Sequence, residues 1–235
     1  MSLQVTEAPG LGAQLEGLLD CTRCARLTSY RNTLPPKGVR TRADYWGRPV
    51  PGFGDPQARI CLVGLAPGAH GANRTGRPFT GDGAGDFMYP LLHQAGLASH
   101  GQAESLDDGL KLHDLYITNA VKCVPPENKP QTEEYAACLP YLEQELCSLP
   151  RLEVLILLGQ GAFRSYLNLL RQRGQVKRLA DVPFGHGAEY RFAQGPILVA
   201  SYHTSRYNVQ TGRMTSAMFM SLLERVKALA DKEKP

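Results

Sequence analysis

The chain has 235 residues, of which 43% are hydrophobic, and a formal net charge of +4 at pH 7. This length allows one large domain or two small ones with a real core, and the mild positive charge permits contact with nucleic acid without requiring it. Because no apolar run could span a membrane and residues 1–20 lack the pattern of a signal peptide, we predict a soluble cytoplasmic protein.

The N-terminal part of the chain combines a helical pattern with an irregular basic segment. Apolar residues at helical spacing predict a helix over Leu11–Leu19. Residues 30–56 are rich in proline, glycine and arginine, and we expect them to form an irregular covering segment around Trp46. The basic residues of this part form either a solvated face or a phosphate-binding surface, and they are Arg23, Arg26, Arg31, Lys37, Arg40, Arg42 and Arg48.

Four apolar runs predict buried strands, and helical patterns separate them. In chain order the strands are Ile60–Val63, Leu115–Val121, Leu155–Leu158 and Ile197–Ser201. The predicted helices are Phe87–Ala95, a segment capped by Thr132 and kinked or divided by Pro140, a segment from Phe163, and Thr215–Ala230. Because the strands are apolar throughout and alternate with helices, we predict a three-layer α/β/α sandwich with a central, mostly parallel four-stranded sheet. We expect a single domain of residues 1–235.

Chemically useful side chains follow three of these strands, after Gly64, Val121 and Ser201. The carboxyl ends of parallel strands meet at one edge of a sheet, so we expect one site there. The glycine-rich segment after Gly64 is not a phosphate-binding loop, because Arg77-Pro78 stands where such a loop requires Lys-Ser/Thr.

Three residues of these segments have two interpretations each. Asp82 either caps the helix that follows it or supplies a carboxylate to the site. Phe79 belongs either to the core or to a wall that faces a planar ligand. A lone histidine such as His203, directly after an apolar strand, is usually a core residue, but here it precedes donors suited to phosphate: Thr204, Ser205, Arg206, Asn208 and Arg213.

The six cysteines favour metal binding or catalysis over a disulfide framework in a chain of this kind. Cys21 and Cys24 form a Cys-x2-Cys pair, and Cys123 and Cys138 are the other candidate ligands. Four thiolates suit a tetrahedral zinc or an iron–sulfur cluster, and buried free thiols are the remaining possibility. The two other cysteines, in the first strand and at position 147, are poor ligand candidates.

Four motifs in order resemble the uracil-DNA glycosylase superfamily, and together they extend over most of the chain from Cys21 to about Arg213. They are GLAPG at 64–68, GRPFTGD at 76–82, TNAVKCVPPENKP at 118–130 and HTSR at 203–206. The similarity is closest to family 5, the b-type enzymes of thermophiles and actinobacteria. Family 4 enzymes carry acids at the position of Leu65 and near Gly71, and this chain shares their loss with family 5.

The resemblance implies a monofunctional DNA glycosylase of base excision repair, which flips uracil out of DNA and hydrolyses its N-glycosidic bond. It implies a structural [4Fe–4S] cluster on Cys21, Cys24, Cys123 and Cys138. It implies catalytic roles for Asp82, Asn128 and His203. The implied base-binding residues are Gly64, Leu65, Ala66, Gly68, Phe79 and Asn119. The implied DNA contacts are Lys122, Lys129, Ser205, Arg206 and Arg213.

The expected partner is double-stranded DNA that contains uracil or another deaminated base, with mismatches favoured, and the protein is expected to act as a monomer on the bacterial nucleoid. We further expect Asn119 to favour uracil while hypoxanthine is still accepted. Two alternatives remain at this point. One is a non-catalytic binder of damaged DNA, which the intact Asp82 and His203 disfavour. The other is a metal-containing protein that binds free nucleotides, which the missing phosphate loop disfavours.

Overall fold

The computed structural model describes residue 15 and residues 17–232. The helix predicted for Leu11–Leu19 therefore lies largely outside the described residues. The described part of that stretch forms turns, in which Leu15 and Leu18 are buried and pack with Tyr141.

The described residues form one six-stranded sheet. Its strands are β1 Phe53–Gly54, β2 Ile60–Gly64, β3 Leu115–Asn119, β4 Val154–Leu158, β5 Glu189–Tyr190 and β6 Ile197–Ser201. The spatial order is β1-β3-β2-β4-β6-β5, and the four central strands are parallel, which confirms the four predicted strands. The strands β1 and β5 lie antiparallel at the two edges, and the sequence did not predict them because two residues show no periodicity.

Seven α-helices occur in the described part of the chain. They are α1 Ala25–Thr33, α2 Ala72–Thr75, α3 Gly83–Gln94, α4 Thr132–Cys147, α5 Gly159–Gln172, α6 Arg206–Gln210 and α7 Ser216–Lys232. None of the described helices combines the length and the apolar character that crossing a bilayer requires. Short 3-10 turns at Arg42–Asp44, Pro126–Asn128 and Leu179–Asp181 complete the regular structure of the described residues.

The sheet lies between two layers of helices. Alternate strand residues such as Leu62 and Ile156 pack with α3 and α7 on one face, whereas Val63 and Leu157 pack with α4 and α5 on the other. All five residues of each central strand are buried, because helices cover both faces. The predicted three-layer α/β/α sandwich is therefore confirmed.

The structure contradicts the division of α4 that was one of the two outcomes predicted for Pro140, and it contradicts the predicted cap. Pro140 does not divide the helix, which continues from Thr132 to Cys147. Pro140 and Ala136, four residues before it, are both exposed, so a helix carbonyl without its N–H partner can bond to water. The residue before the helix is Gln131 rather than Thr132, and its backbone N–H donates to the Glu134 carboxylate at 2.7 Å.

The strand order places a crevice at the carboxyl edge of the sheet. The chain passes from β2 to its neighbour β3 on one side, and β4 then pairs with β2 on the other side. The connections that leave β2 and β4 therefore diverge, and open α/β sheets bind ligands at such a point.

Candidate active site

A cavity of about 380 Å³ opens at this carboxyl edge. It is lined by the segments that follow β2, β3 and β6, as the sequence predicted. The predicted site residues on its wall are Leu65, Ala66, Gly68, Phe79, Asp82, Asn119, Asn128, His203, Ser205 and Arg206. The sequence did not single out Ala72, Gly83 and Ala84, which also line it, because small residues carry no chemical signal of their own. The volume is in the range of small-molecule sites.

Gly64 lets one wall of the cavity form. It pairs in register with Asn119, the last residue of β3. A Cβ atom at position 64 would lie 2.4 Å from both Asn119 Oδ1 and Phe79 Cζ, so a larger residue would displace both side chains. Asn119 is only 2% exposed, and its Oδ1 is buried with no hydrogen-bond partner among the described residues. This oxygen is therefore available to a ligand.

Phe79 presents a nearly buried ring to the cavity. Its backbone has a φ of 53°, a left-handed conformation that is strained for a bulky residue, and functional sites concentrate such strain. The Tyr89 hydroxyl donates to the carbonyl oxygen of Pro78 at 3.0 Å and helps to hold this turn. The ring centroid lies 6.0 Å from that of His203, at an interplanar angle of 36°.

Asp82 fulfils both interpretations that the sequence allowed. Its Oδ1 accepts hydrogen bonds from the N–H groups of Ala84 and Gly85, at 3.0 Å each, and so caps α3. Its Oδ2 faces the glycine loop, where a Cβ atom at Gly71 would lie 2.3 Å away. Burial raises the pKa of the Asp82 carboxyl, and the two backbone N–H groups oppose that shift. The cap orients the carboxylate, and the absence of side chains at Gly68 and Gly71 leaves space for its Oδ2.

His203 is held in a desolvated position on the opposite wall. Burial lowers the pKa of its imidazole to about 4, so the ring is neutral at physiological pH. Its Nδ1 is buried and has no partner within the described part of the chain. The Asn208 side chain donates to the His203 carbonyl oxygen at 2.8 Å, and a Cβ atom at Gly159 would lie 3.3 Å from His203 Cβ. The backbone of His203 is thus fixed at a position where the residue lines the cavity.

The rim of the cavity is polar and strained. Asn128 is exposed and has a φ of 56°, directly after Glu127 at 55°. Ser205 caps α6 by accepting from the Asn208 N–H, and the Arg206 guanidinium lies beside Gly83. An aromatic ring, an amide, a carboxylate and a neutral imidazole therefore surround one base-sized space, with a cation at its edge.

The sequence model of the uracil DNA glycosylase superfamily matches residues 51–227, which include every lining residue of this cavity. The chain belongs to the uracil-DNA glycosylase superfamily.

Relatives support the narrower assignment within this superfamily. The chain is 50% identical over 220 residues to the Type-5 uracil-DNA glycosylase of Thermus thermophilus, covering 93% of this chain and 97% of the relative. It is 43% identical to the Type-5 uracil-DNA glycosylase of Pyrobaculum aerophilum, covering 90% and 89% of the two chains. A Type-4 uracil-DNA glycosylase of the same organism is 36% identical over only 57% of this chain. The predicted resemblance to family 5 is confirmed.

The structure contradicts the role that the superfamily resemblance implied for one residue. Lys122 was predicted to contact DNA, but it is 1% exposed, and its ammonium group binds the Glu145 carboxylate and the Thr118 hydroxyl in the core. Glu145 also accepts from the Gly52 N–H at 2.9 Å. The partner Glu145 is remote in sequence, so no local pattern indicated that this lysine is buried.

Two further predicted DNA contacts lie away from the cavity wall of this glycosylase fold. Lys129 is exposed and forms an ion pair with Glu127 at 3.0 Å. Arg213 is exposed, and its guanidinium lies over the Tyr202 ring, 4.7 Å from the centroid. Their predicted roles stay predictions.

The four candidate cysteine ligands line a second, small cavity. Cys21 and Cys24 precede α1, Cys123 follows β3, and Cys138 lies in α4. Two donors already point at the sulfurs: Arg31 Nη1 lies 3.0 Å from Cys123 Sγ, and the Lys122 backbone N lies 3.5 Å from Cys138 Sγ. Among the described residues, no group of three or more histidine, cysteine, aspartate or glutamate side chains is arranged to hold a metal ion. The four thiols thus share one cavity.

Proposed function

We propose that this protein is a DNA glycosylase that removes uracil from DNA by hydrolysis of the N-glycosidic bond, leaving an abasic site for base excision repair. The observation that carries the proposal is that Phe79, Asn119, Asp82 and His203 line the same cavity. The relatives that align along most of the chain are named uracil-DNA glycosylases.

The reaction explains why these groups occur together. Cleavage of the bond develops positive charge on the sugar and negative charge on the departing base, and it consumes a water molecule. A catalyst for it needs a carboxylate near the sugar, a means to orient water and a donor for the base oxygen. The target must also leave the duplex, because its glycosidic bond is not accessible inside the stack.

Base recognition falls to Phe79 and Asn119. The flat ring of Phe79 suits stacking on a flipped base. The Asn119 amide can accept from N3–H and donate to O4 of uracil, and its unpartnered Oδ1 supports this role. Backbone groups from Gly64 to Gly68 complete the base-binding wall, with Leu65 and Ala66 between them.

The bond-cleaving roles fall to Asp82, Asn128 and His203. Asp82 stabilises the sugar cation or orients the water, and its cap interactions support a fixed carboxylate. Asn128 helps to position that water. His203 donates a hydrogen bond to the base oxygen as negative charge develops there, and a neutral ring is suited to this because it still carries one N–H.

DNA is held mainly at the rim. Ser205 and Arg206 bind the backbone of the damaged strand, while Lys129 and Arg213 add outer phosphate contacts. We infer that the protein acts as a monomer, because one chain supplies every residue of the site, and that mispaired uracil is favoured because it is more easily flipped.

The second cavity is suited to a [4Fe–4S] cluster. Four thiols line this cavity, N–H donors are directed at two of them, and thiolates are the ligands that such clusters use. Burial raises the pKa of Cys123 to about 11 and that of Cys138 to about 12, so binding of the cluster would release protons. Its role is structural, since it would join the N-terminal segment to α4.

The test is incubation with a uracil-containing duplex, followed by alkali cleavage of abasic sites. We expect cleavage at uracil only, with the free base released. Tight binding without abasic sites would indicate a non-catalytic binder of damaged DNA. Failure to bind DNA at all would instead favour the alternative of a protein that binds free nucleotides.

We also propose that hypoxanthine is a secondary substrate, and that Asn119 sets the preference for uracil. Replacing Asn119 with Ala removes the groups that read the uracil edge, so the ratio of single-turnover rates on uracil and hypoxanthine should fall by about ten- to a hundredfold. Asn32→Ala changes an exposed asparagine outside the cavity and serves as the control. An unchanged ratio in Asn119→Ala would contradict the assignment.

A further inference from the structure

The structure distinguishes two groups among the basic residues of positions 23–48. Most have partners within the protein. Arg26 pairs with Glu134, Arg31 binds Cys123, Arg42 donates to two backbone carbonyl groups, Arg48 pairs with Asp20, and Arg23 lies over Tyr141. Lys37 and Arg40 are exposed, and their side chains form no hydrogen bond or ion pair with any described residue.

Lys37 and Arg40 belong to an exposed loop, Pro35–Arg40, which we call the basic loop. Two prolines stiffen its start, and Gly38 turns it with a φ of 69°. Val39 is 101% exposed at the turn, more than any other large hydrophobic side chain in the described ranges. Val39 therefore gains no burial from the fold of this chain, and it lies between the two cations of the loop.

A short hydrogen-bonded chain joins the basic loop to the rim of the cavity. The Lys37 N–H donates to the Tyr45 hydroxyl at 3.1 Å, and that hydroxyl lies 2.7 Å from His70 Nδ1. His70 precedes Gly71, which packs against Asp82 Oδ2. Burial lowers the pKa of His70, and the charges of Lys37, Arg40 and Arg74 lower it further, so these cations lie close to the ring.

The rim therefore carries positive charge on two sides of Asp82. Arg206 lies beside Gly83, and the basic loop adjoins the side of Gly71. A duplex that places a nucleotide in the cavity must extend in both directions from it, and its phosphates meet a cation at each side. Hydrogen bonds from Thr41 lower the pKa of the Asp44 carboxyl and the nearby charge of Arg40 lowers it further, but this carboxylate forms no ion pair with either cation of the loop. A polyanion is the partner that this arrangement favours.

We propose that the basic loop is a DNA-contacting element, in which Lys37 and Arg40 bind backbone phosphates beside the flipped nucleotide and Val39 packs against the wall of a groove. This rests on the proposed function only in taking DNA as the substrate. Apolar side chains flanked by Arg or Lys are a recurrent means of contact with the minor groove.

The test is the salt dependence of DNA binding by the full chain. Each phosphate contact contributes about 0.9 to the slope of log K against log salt, so the Lys37→Ala/Arg40→Ala double variant should lower the slope by about 1–2. At about 0.1 M salt, its affinity for a uracil-containing duplex should fall by about ten- to sixtyfold. The matched control Lys111→Ala/Lys177→Ala removes the same charge from two exposed lysines outside both cavities and should leave slope and affinity unchanged.

Val39→Ser tests the apolar contact separately. It should weaken binding by about three- to tenfold with no change in the salt slope, because an apolar contact releases no counterions. Thermal unfolding of each variant checks that the fold is intact. Slopes and affinities equal to those of the unaltered protein would overturn the proposal. A reduced slope together with no excision by the unaltered protein would uphold the loop and contradict only the proposed function.

Discussion

At the scale of single residues, environment decides what His203 can do. Desolvation lowers the pKa of the imidazole to about 4, whereas an unfolded chain would protonate it near pH 6.5. Between these values the unfolded state binds more protons, so the contribution of His203 to stability falls as the pH drops from about 6.5 toward 4. The neutral ring is thus the form present across the physiological range.

Two results should follow for catalysis. The single-turnover rate of uracil excision should show no step from His203 between about pH 6 and pH 8, because its titration lies below this range.

His203→Ala should lower the single-turnover rate of uracil excision by about 10²–10⁴ if the ring donates to the leaving base. The exposed His113 is the control, since His113→Ala should retain the full rate. A loss below tenfold in His203→Ala would assign the donor role to another group.

Sequence reasoning succeeded at residues whose neighbours in the chain define their setting. Phe79, Asp82 and His203 each stand beside a strand end or a turn, and the structure brings them into one cavity. The sequence-based prediction for Lys122 failed, because a lysine followed by cysteine and prolines resembles an exposed loop residue. The carboxylate that keeps it in the core belongs to Glu145, in a helix that packs there only in the folded protein.

At the scale of elements, the central strands could be predicted from their own residues, whereas the edge strands depend on pairing with remote parts of the chain. The central strands are continuous apolar runs, and such runs are visible in sequence because helices cover both faces. The edge strands β1 and β5 have two residues each and exist only by pairing with β3 and β6. The continuation of α4 through Pro140 likewise depends on which side of the helix faces solvent.

The buried pair of Lys122 and Glu145 joins the end of β3 to α4, and removal of one partner should be costly. Glu145→Ala leaves the ammonium group uncompensated and also removes the acceptor of the Gly52 N–H. We expect a loss of about 3–5 kcal/mol in the free energy of unfolding, measured by urea denaturation. Lys122→Met/Glu145→Leu should recover most of it, because no charge is then left unpaired.

The exposed pair of Arg173 and Glu143 provides the comparison on the same helix. Glu143→Ala should change the free energy of unfolding by less than about 1 kcal/mol, as for other exposed ion pairs. Equal losses in Glu143→Ala and Glu145→Ala would show that burial does not set the strength of the Lys122 interaction.

At the scale of the whole molecule, the cysteine cavity determines how the N-terminal segment joins the sandwich. Cys21 and Cys24 lie before α1, and the other two ligand candidates belong to the main body of the fold. A cluster there would cross-link positions that are far apart in the chain. Spacing alone left zinc, a cluster and free thiols open for these four cysteines, because the cavity that they share depends on the packing of α1 against α4.

The purified protein should be brown and should contain iron and sulfide. Cys138→Ser should lower the iron content and, by loss of a cross-link of about 2–5 kcal/mol, lower the midpoint of thermal unfolding by about 4–20 °C. Cys147 is exposed and outside the cavity, so Cys147→Ser should keep both colour and midpoint. Colourless protein that holds zinc would contradict the cluster.

The unpartnered buried atoms of the cavity also bear on the end of a catalytic cycle. Asn119 Oδ1 and His203 Nδ1 lack partners among the described residues, so a bound base relieves an unfavourable desolvation. Under the proposed function, the excised base carries the same polar edge as the nucleotide and would satisfy these atoms after the bond has broken. We therefore predict that product departure, which exposes these atoms again, is the slow event of turnover. One rapid round of excision per protein molecule would then precede a slower steady rate.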